Sequence, residues 1–365
     1  MHTLTIGMML PSSSICSMGK SYYKAFKDAL NQKVDDVEIE YVTELIGQGG
    51  IEKVAHATDA FLGFHEVDLV TGIVSNYSLQ HVADRFKKRK TPILYSNLGE
   101  HLLPTAGLND FVFCNSAHLW QQTWLMGFYA AKHLGGKGLV FSALYDSGYS
   151  FIESFRLGML AAKPDAQLDI QLLPMPAAGE LSDISGSIDQ VGIDEADFVF
   201  ALFCGEEASN FLEIYKSRGY HKKNKLLGLP FLLEESDKNL EDIDLISFSN
   251  SAEEVEDHPF YKSIFSQLGH LSGTLIGEAI VAGKGELDRD ILEQVLIKQQ
   301  LAEFRTTQTP QFKTPINIIE HRIGLENAVE SNVILNKSVD LSCDEAFNTS
   351  RDMLASSWIN PYLCV

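Results

Sequence analysis

The chain has 365 residues, and 29 Lys and Arg stand against 49 Asp and Glu, a net charge of -20. Such a balance repels phosphate backbones and anionic lipid, which sets nucleic acid and membrane-surface partners aside. Hydrophobic residues make up 45% of the chain, enough for two cores at about twice the usual domain length. The longest apolar stretches, such as 226–233 and 69–74, fall short of the roughly 20 residues that a membrane-spanning helix needs.

The predicted elements alternate from the start. Residues 4–10 read as a buried strand, and Tyr22, Phe26 and Leu30 repeat at helical spacing up to Asn31. Residues 37–42 give a second strand, Val54, Thr58, Phe61 and Leu62 a helical face, and 68–74 a strand rich in β-branched residues. Leu79, Val82, Ala83 and Phe86 mark a third helix, 92–95 a fourth strand and 111–113 a short fifth. Repeated βα units of this kind imply a parallel sheet with helices on both faces.

The pattern restarts after a long helix over 117–133. Strands at 138–142, 168–173, 197–203, 225–229 and 245–248 alternate with helices at 151–162, 182–191 and 206–218. From His258 the chain turns to consecutive helices with faces Phe260, Ile264, Leu268, then Leu271, Leu275, Ala279, then Ile291 and Val295. Helices without intervening strands suit a return to cover the first unit. A strand at 316–319 follows, and the remaining tail to Val365 is weakly patterned.

Taken in order, these pieces resemble the type I periplasmic binding protein family, in particular the branch that binds leucine, isoleucine, valine and short amides. The resemblance spans roughly residues 3–335 and is carried by the opening 4–14, by Gly72-Ile-Val-Ser-Asn-Tyr-Ser78, and by Pro92-Ile-Leu-Tyr-Ser-Asn-Leu-Gly99. Residues 145–151, 202–206 and the helix 273–283 match later family elements. The fold it implies is α/β, two doubly wound parallel-sheet lobes joined by a hinge. Lobe 1 is expected from 1–117 plus 250–319, and lobe 2 from 118–249 plus 320–365 with a C-terminal extension.

In open α/β sheets ligands sit beyond the carboxyl ends of the strands, and each loop named above follows a predicted strand. Ser13 and Ser14, then Ser75, Asn76 and Tyr77, then Ser96, Asn97 and Leu98 are therefore expected to project from one lip of the first lobe. Tyr145, Tyr149, Phe203 and Glu206 are expected to face them from the other. Hydroxyls and amides with helix N-termini behind them suit a carboxylate or another polar head group. The resemblance implies an acid near the strand at 225–229 in members that bind amino acids, to meet the ligand ammonium; here 228–233 is apolar until Glu234 and Glu235, which argues against a free amino acid.

The resemblance implies a solute-binding protein that closes two lobes over a small polar or amphipathic ligand for an ABC-type membrane transporter, or a ligand sensor with a regulatory partner. It acts without cofactor or catalysis, as a monomer or homodimer. Catalytic patterns are missing from the sequence: there is no GxGxxG, GxxxxGK[ST] or GxSxG. Gly47-Gln-Gly-Gly50 reads as a helix-start turn. The histidines lack metal-ligand spacing, and the five cysteines, Cys16, Cys114, Cys204, Cys343 and Cys364, lie far apart without a CxxC pair, as reduced thiols do. Trp120 and Trp124 read as packing residues on one helix face. The contrasting reading is an α/β enzyme using Tyr149, Glu206 and a histidine in the same cleft; a third is a partner protein with a vestigial cleft. Met1-His2-Thr3-Leu4 leads straight into a strand, so a periplasmic location requires an export signal already removed, and a native start at Met1 implies the cytoplasm.

Overall fold

The computed structural model describes residues 3–12, 17–100, 108–143, 151–174, 176–177, 180–230, 232, 242–249, 263–299, 315–323 and 329–338. Strands β1 (Thr3–Leu10), β2 (Glu38–Leu45), β3 (Leu69–Ile73), β4 (Ile93–Asn97) and β5 (Val112–Ser116) form one parallel sheet in the order β2-β1-β3-β4-β5. Its inner strands β3 and β4 are buried at every position, as expected where helices cover both faces. β2 lies at the edge and presents Glu38, Glu40 and Glu44, charges that discourage further strand pairing.

Two separate apolar clusters flank this sheet. Helix α1 (Met18–Asn31) buries Tyr22, Phe26 and Leu30 against Leu4, Ile6 and Met8. The other face packs Phe61, from the π-helical turn after α2 (Ile51–Asp59), with Leu79 of α3 (Asn76–Leu79) and Phe86 of α4 (Ala83–Arg89). The expected single helix through Leu79 and Phe86 is thus two short ones, broken where Val82 leaves helical geometry at φ −122° and ψ −6°. Gly50 is the N-cap of α2, so the glycine run does begin a helix.

The second sheet runs β12-β11-β10-β9-β8-β6-β7. Its parallel part is β6 (Lys137–Ser142), β7 (Gln167–Leu172), β8 (Phe198–Leu202), β9 (Lys225–Gly228) and β10 (Asp244–Ser249). Helices α5 (Leu119–His133), α6 (Phe151–Ala162), α7 (Ile184–Ile188) and α8 (Gly205–Ser217) accompany it. Helix α7 is only the centre of the expected 182–191 helix. Trp120 and Trp124 on α5 are almost wholly buried, as packing residues should be.

The chain passes between the sheets three times. It leaves β5 for α5, comes back from β10 with α9 (Ile264–Ala282) and α10 (Arg289–Lys298), then returns to the second sheet. Helix α9 packs on α1, and Arg289 Nε donates to the carbonyl of Asp110 at 3.0 Å, seating α10 on the first unit.

The last crossing corrects the expected partition. β11 (Pro315–Ile323) pairs antiparallel with β10, so residues 315–319 belong to the second sheet, and β12 (Val329–Ser338) extends it within the weakly patterned tail. A register shift between Ile318 and Ile319 interrupts the alternation by which this hairpin would have been recognised. Lys225 of β9 fastens the addition, reaching Asp244 Oδ2 at 3.5 Å and Glu320 Oε1 at 3.0 Å.

Candidate functional site

At the carboxyl ends of the strands β3 lies close against β1 because a glycine permits it. At Gly72, with φ +133°, a Cβ would stand 2.0 Å from the Met9 carbonyl oxygen, so only glycine lets β3 lie there. Beyond β3, Ser75 caps α3 by accepting the Ser78 N–H at 3.1 Å. The Ser78 hydroxyl donates to the Gly49 carbonyl at 2.6 Å and ties the loop after β2 to the loop after β3.

Asn76 is the centre of a buried polar knot. Its Oδ1 accepts from the Tyr95 hydroxyl at 2.7 Å and from Asn97 Nδ2 at 2.9 Å, and the Cys114 thiol lies 4.0 Å away. Asn97 Oδ1 in turn accepts the Gly99 N–H at 3.0 Å. Burial raises the Tyr95 phenol well above its ordinary range and pushes the Cys114 thiol up to about 12, so both stay protonated.

Ser96 does not share that knot. Successive strand residues point to opposite faces, and its hydroxyl lies 3.0 Å from Ser272 Oγ and 3.4 Å from Tyr22 Oη on the α1 and α9 side. Asn115 Nδ2 completes this second network, donating to the Leu268 carbonyl and to Ser272 Oγ, both at 3.0 Å. Ser96 and Asn97 therefore stand on opposite faces of the sheet, where the sequence reading had both on one lip.

The loop after β4 is bound to the first crossing between the sheets. The Asn97 carbonyl accepts the Ala117 N–H at 3.0 Å, and the Leu98 carbonyl accepts the Leu119 N–H at 2.9 Å. Gly99, at φ +75°, passes so near this strap that a Cβ would lie 2.8 Å from His118 Cα. His118 itself holds a left-handed φ of 52°, and burial lowers its imidazole to about 3, which keeps the ring neutral at ordinary pH. Glu100, 1% exposed, accepts the Leu98 N–H at 2.9 Å.

Tyr77 is half-buried, its ring edge-on to His81 at 5.6 Å. In the second unit Phe203 is fully buried between Phe141 at 5.5 Å and Phe211 at 4.8 Å, a core position and not a cleft wall. Glu206 is exposed in the first turn of α8, whereas its neighbour Glu207 is buried and accepts the Ser182 N–H at 2.7 Å. Ser13, Ser14, Tyr145 and Tyr149 lie outside the described residues.

Sequence reasoning missed Tyr95, Glu100, Cys114 and Glu207. Tyr95 and Cys114 read as apolar strand positions, Glu100 as an ordinary loop acid, and no spacing pairs Glu207 with the Ser182 N–H, 25 residues away. Among the described residues no group of His, Cys, Asp or Glu is arranged to hold a metal ion, and no helix is long and apolar enough to cross a membrane. What the arrangement offers at the ends of β3 and β4 is mainly a set of amide, hydroxyl and backbone donors and acceptors, with Glu100 buried beside them.

No curated protein matches the sequence. Among solved structures, an ABC transporter substrate-binding protein from Sphaerobacter thermophilus is 20% identical, with a TM-score of 0.70 over 92% of this chain and 98% of that one. A solute binding protein of an ABC transporter from R. palustris, in complex with benzoate, is 16% identical, with a TM-score of 0.69 over 93% and 98%. A branched-chain amino acid transporter substrate binding protein from Streptococcus pneumoniae, in complex with isoleucine, is 16% identical, with a TM-score of 0.62 over 92% and 100%. These likenesses establish the fold expected from the sequence, two α/β lobes each built on five parallel strands. The family model described as periplasmic binding protein matches residues 3–244, and the chain belongs to that family.

Proposed function

We propose that this protein binds a small polar solute between its two α/β units, at the carboxyl ends of the parallel strands, and delivers it unchanged to an ABC-type membrane transporter. The observation that carries this reading is the knot of Asn76, Tyr95 and Asn97, tied through the carbonyls of residues 97 and 98 to the first crossing between the sheets. A ligand that loads the loop after β4 pulls on the segment about which two lobes must hinge, the coupling that a closing binding protein needs.

The ligand contacts fall to Ser75, Asn76, Tyr77, Asn97 and Leu98 on one side and Glu206 on the other, with Ser13, Ser14, Tyr145 and Tyr149 completing the set. Ser96 and Phe203 support these positions from within the core. Similar structures in complex with benzoate and isoleucine support a small organic ligand. Membership of a binding-protein family supports binding without turnover and work in the periplasm.

The test is a thermal-shift screen of the purified protein against amino acids, short amides, aromatic acids, sugars and nucleotides, because a ligand held only by the folded state raises stability by mass action. A saturable shift from one class, weakened by Asn76→Ala and accompanied by no chemical conversion, is the expected outcome. Conversion of the compound, or no response to any class, refutes the reading.

A further inference from the structure

The two sheets end on strands of opposite character. β2 closes the first sheet with Glu38, Glu40 and Glu44. Antiparallel pairing of β2 with its own copy about Tyr41 would set Glu38 opposite Glu44, and pairing about Val42 would set Glu40 opposite Glu44; both oppose like charges. β7 closes the second sheet and reads Gln167-Leu-Asp-Ile-Gln-Leu172, with Ile170 48% and Leu172 37% exposed. Apolar side chains on an unpaired edge are what a sheet protein ordinarily avoids.

The backbone of β7 has its free groups under those same side chains. The Gln167 N–H donates to the Gly136 carbonyl at 2.8 Å and the Leu173 N–H to the Ser142 carbonyl at 2.9 Å, so the odd-numbered residues of the strand bond towards β6. Backbone groups alternate in direction along a strand, so Leu168, Ile170 and Leu172 turn theirs to the outer edge. There, among the described residues, the Leu172 carbonyl accepts from Gln171 Nε2 at a long 3.4 Å.

We infer that β7 pairs antiparallel with β7 of a second copy of this chain, about a two-fold axis at Ile170. That register sets Ile170 against Ile170 and Leu168 against Leu172, joining three apolar side chains from each copy on one face of a continuous sheet. On the other face each Asp169 meets a Gln171, whose amide can donate to the carboxylate. Shifting the axis to residue 169 opposes two aspartates, and shifting it to 171 leaves Leu168 without an apolar partner, so charge and burial favour the same register. The inference is independent of how the cleft is used.

Sedimentation velocity of the full chain from about 1 to about 100 µM is expected to show a concentration-dependent rise towards twice the monomer mass, by mass action. Ile170→Lys, at an exposed position, is expected to remain a monomer over that range with an unchanged melting temperature at the lowest concentration, while Glu40→Lys on β2 dimerises as before. Cross-linking reads the register. Residues 169 and 171 would form a non-hydrogen-bonded pair with Cα atoms about 4.5 Å apart, within disulfide reach. Under mild oxidation a mixture of Asp169→Cys and Gln171→Cys chains is expected to link, with each variant alone and the unsubstituted chain giving little product. A monomer at the highest concentration overturns the inference, as does a dimer that survives Ile170→Lys or an Asp169→Cys chain that links efficiently to itself.

Discussion

The two units solve one packing problem in different ways. In each, a pair of helices approaches so closely that backbone meets backbone. Between α5 and α6 the arrangement is reciprocal: a Cβ at Gly127 would stand 2.0 Å from the Phe155 carbonyl oxygen, and one at Gly158 would stand 1.9 Å from that of Trp124. Between α1 and α9 it is one-sided, since Gly269 and Gly273, a turn apart on α9, lie where a Cβ would be 2.3 Å from the carbonyl oxygens of Tyr22 and Phe26. The first pair is lined by aromatic rings, with Phe155 stacked on Phe200 at 4.4 Å. The second carries the hydroxyl and amide network of Tyr22, Ser96, Asn115 and Ser272.

Chain order accounts for the difference. Helices α5 and α6 are separated by one strand, so their contact forms locally and apolar burial suffices. Helix α9 reaches α1 only after the second unit has been traversed, and a contact between such distant segments must specify its own register. Directional hydrogen bonds from Asn115 and Ser272 do this where greasy packing alone would tolerate a slip.

Substitution at the reciprocal glycines is the sharpest way to break the comparison. Gly158→Val is expected to cost about 3 kcal/mol or more, because the obstacle is the Trp124 carbonyl on the partner helix and neither side can yield without parting the helices. Denaturant unfolding measures it, and a loss under about 1 kcal/mol would show that the contact is not tight. Gly273→Val meets the Phe26 carbonyl from one side only and is expected to cost about 2 kcal/mol.

The polar lining gives the next largest effect. Asn115→Ala deprives the Leu268 carbonyl and Ser272 Oγ of a buried donor, for an expected loss of about 2 kcal/mol. Removal of the Phe155 ring face by Phe155→Leu, by contrast, should cost volume but no directional bond, and hydrogen exchange should show α9 amides loosened by the first change and not by the second.

A pH titration sharpens the picture at the strap between the units. His118 has its folded pKa lowered from 6.5 to about 3 by burial, so the stability tied to its neutral form is present above about 6.5 and lost as pH falls toward 3. His118→Asn, which also tolerates the left-handed backbone, should flatten the decline of melting temperature across that window. An unchanged slope would assign the acid limb to other groups. The smallest expected effect is Ser75→Ala, about 1 kcal/mol from a lost helix cap, read as a small fall in melting temperature.

Much of this was written in local patterns. The buried strands at 4–10, 68–74 and 92–95, the helical faces of Tyr22, Phe26 and Leu30, and the repeated βα order determine two parallel sheets, because the period of apolar residues reports which face meets a core. Burial of Trp120 and Trp124 was legible for the same reason. Which of Ser96 and Asn97 faces the α3 side, the Asn76 knot, and the bonds from residues 97 and 98 to the first crossing depend on strand register and on contacts between segments far apart in sequence. The pairing of β11 with β10 is of that kind as well, since a bulged edge hairpin leaves no clean period behind. The amino-acid sequence by itself determined the layers and the residue types available at the strand ends; only the tertiary structure decided which side chains brace the loops from within and which stay at the surface, because a hydrogen-bond partner is a matter of distance in space and not along the chain.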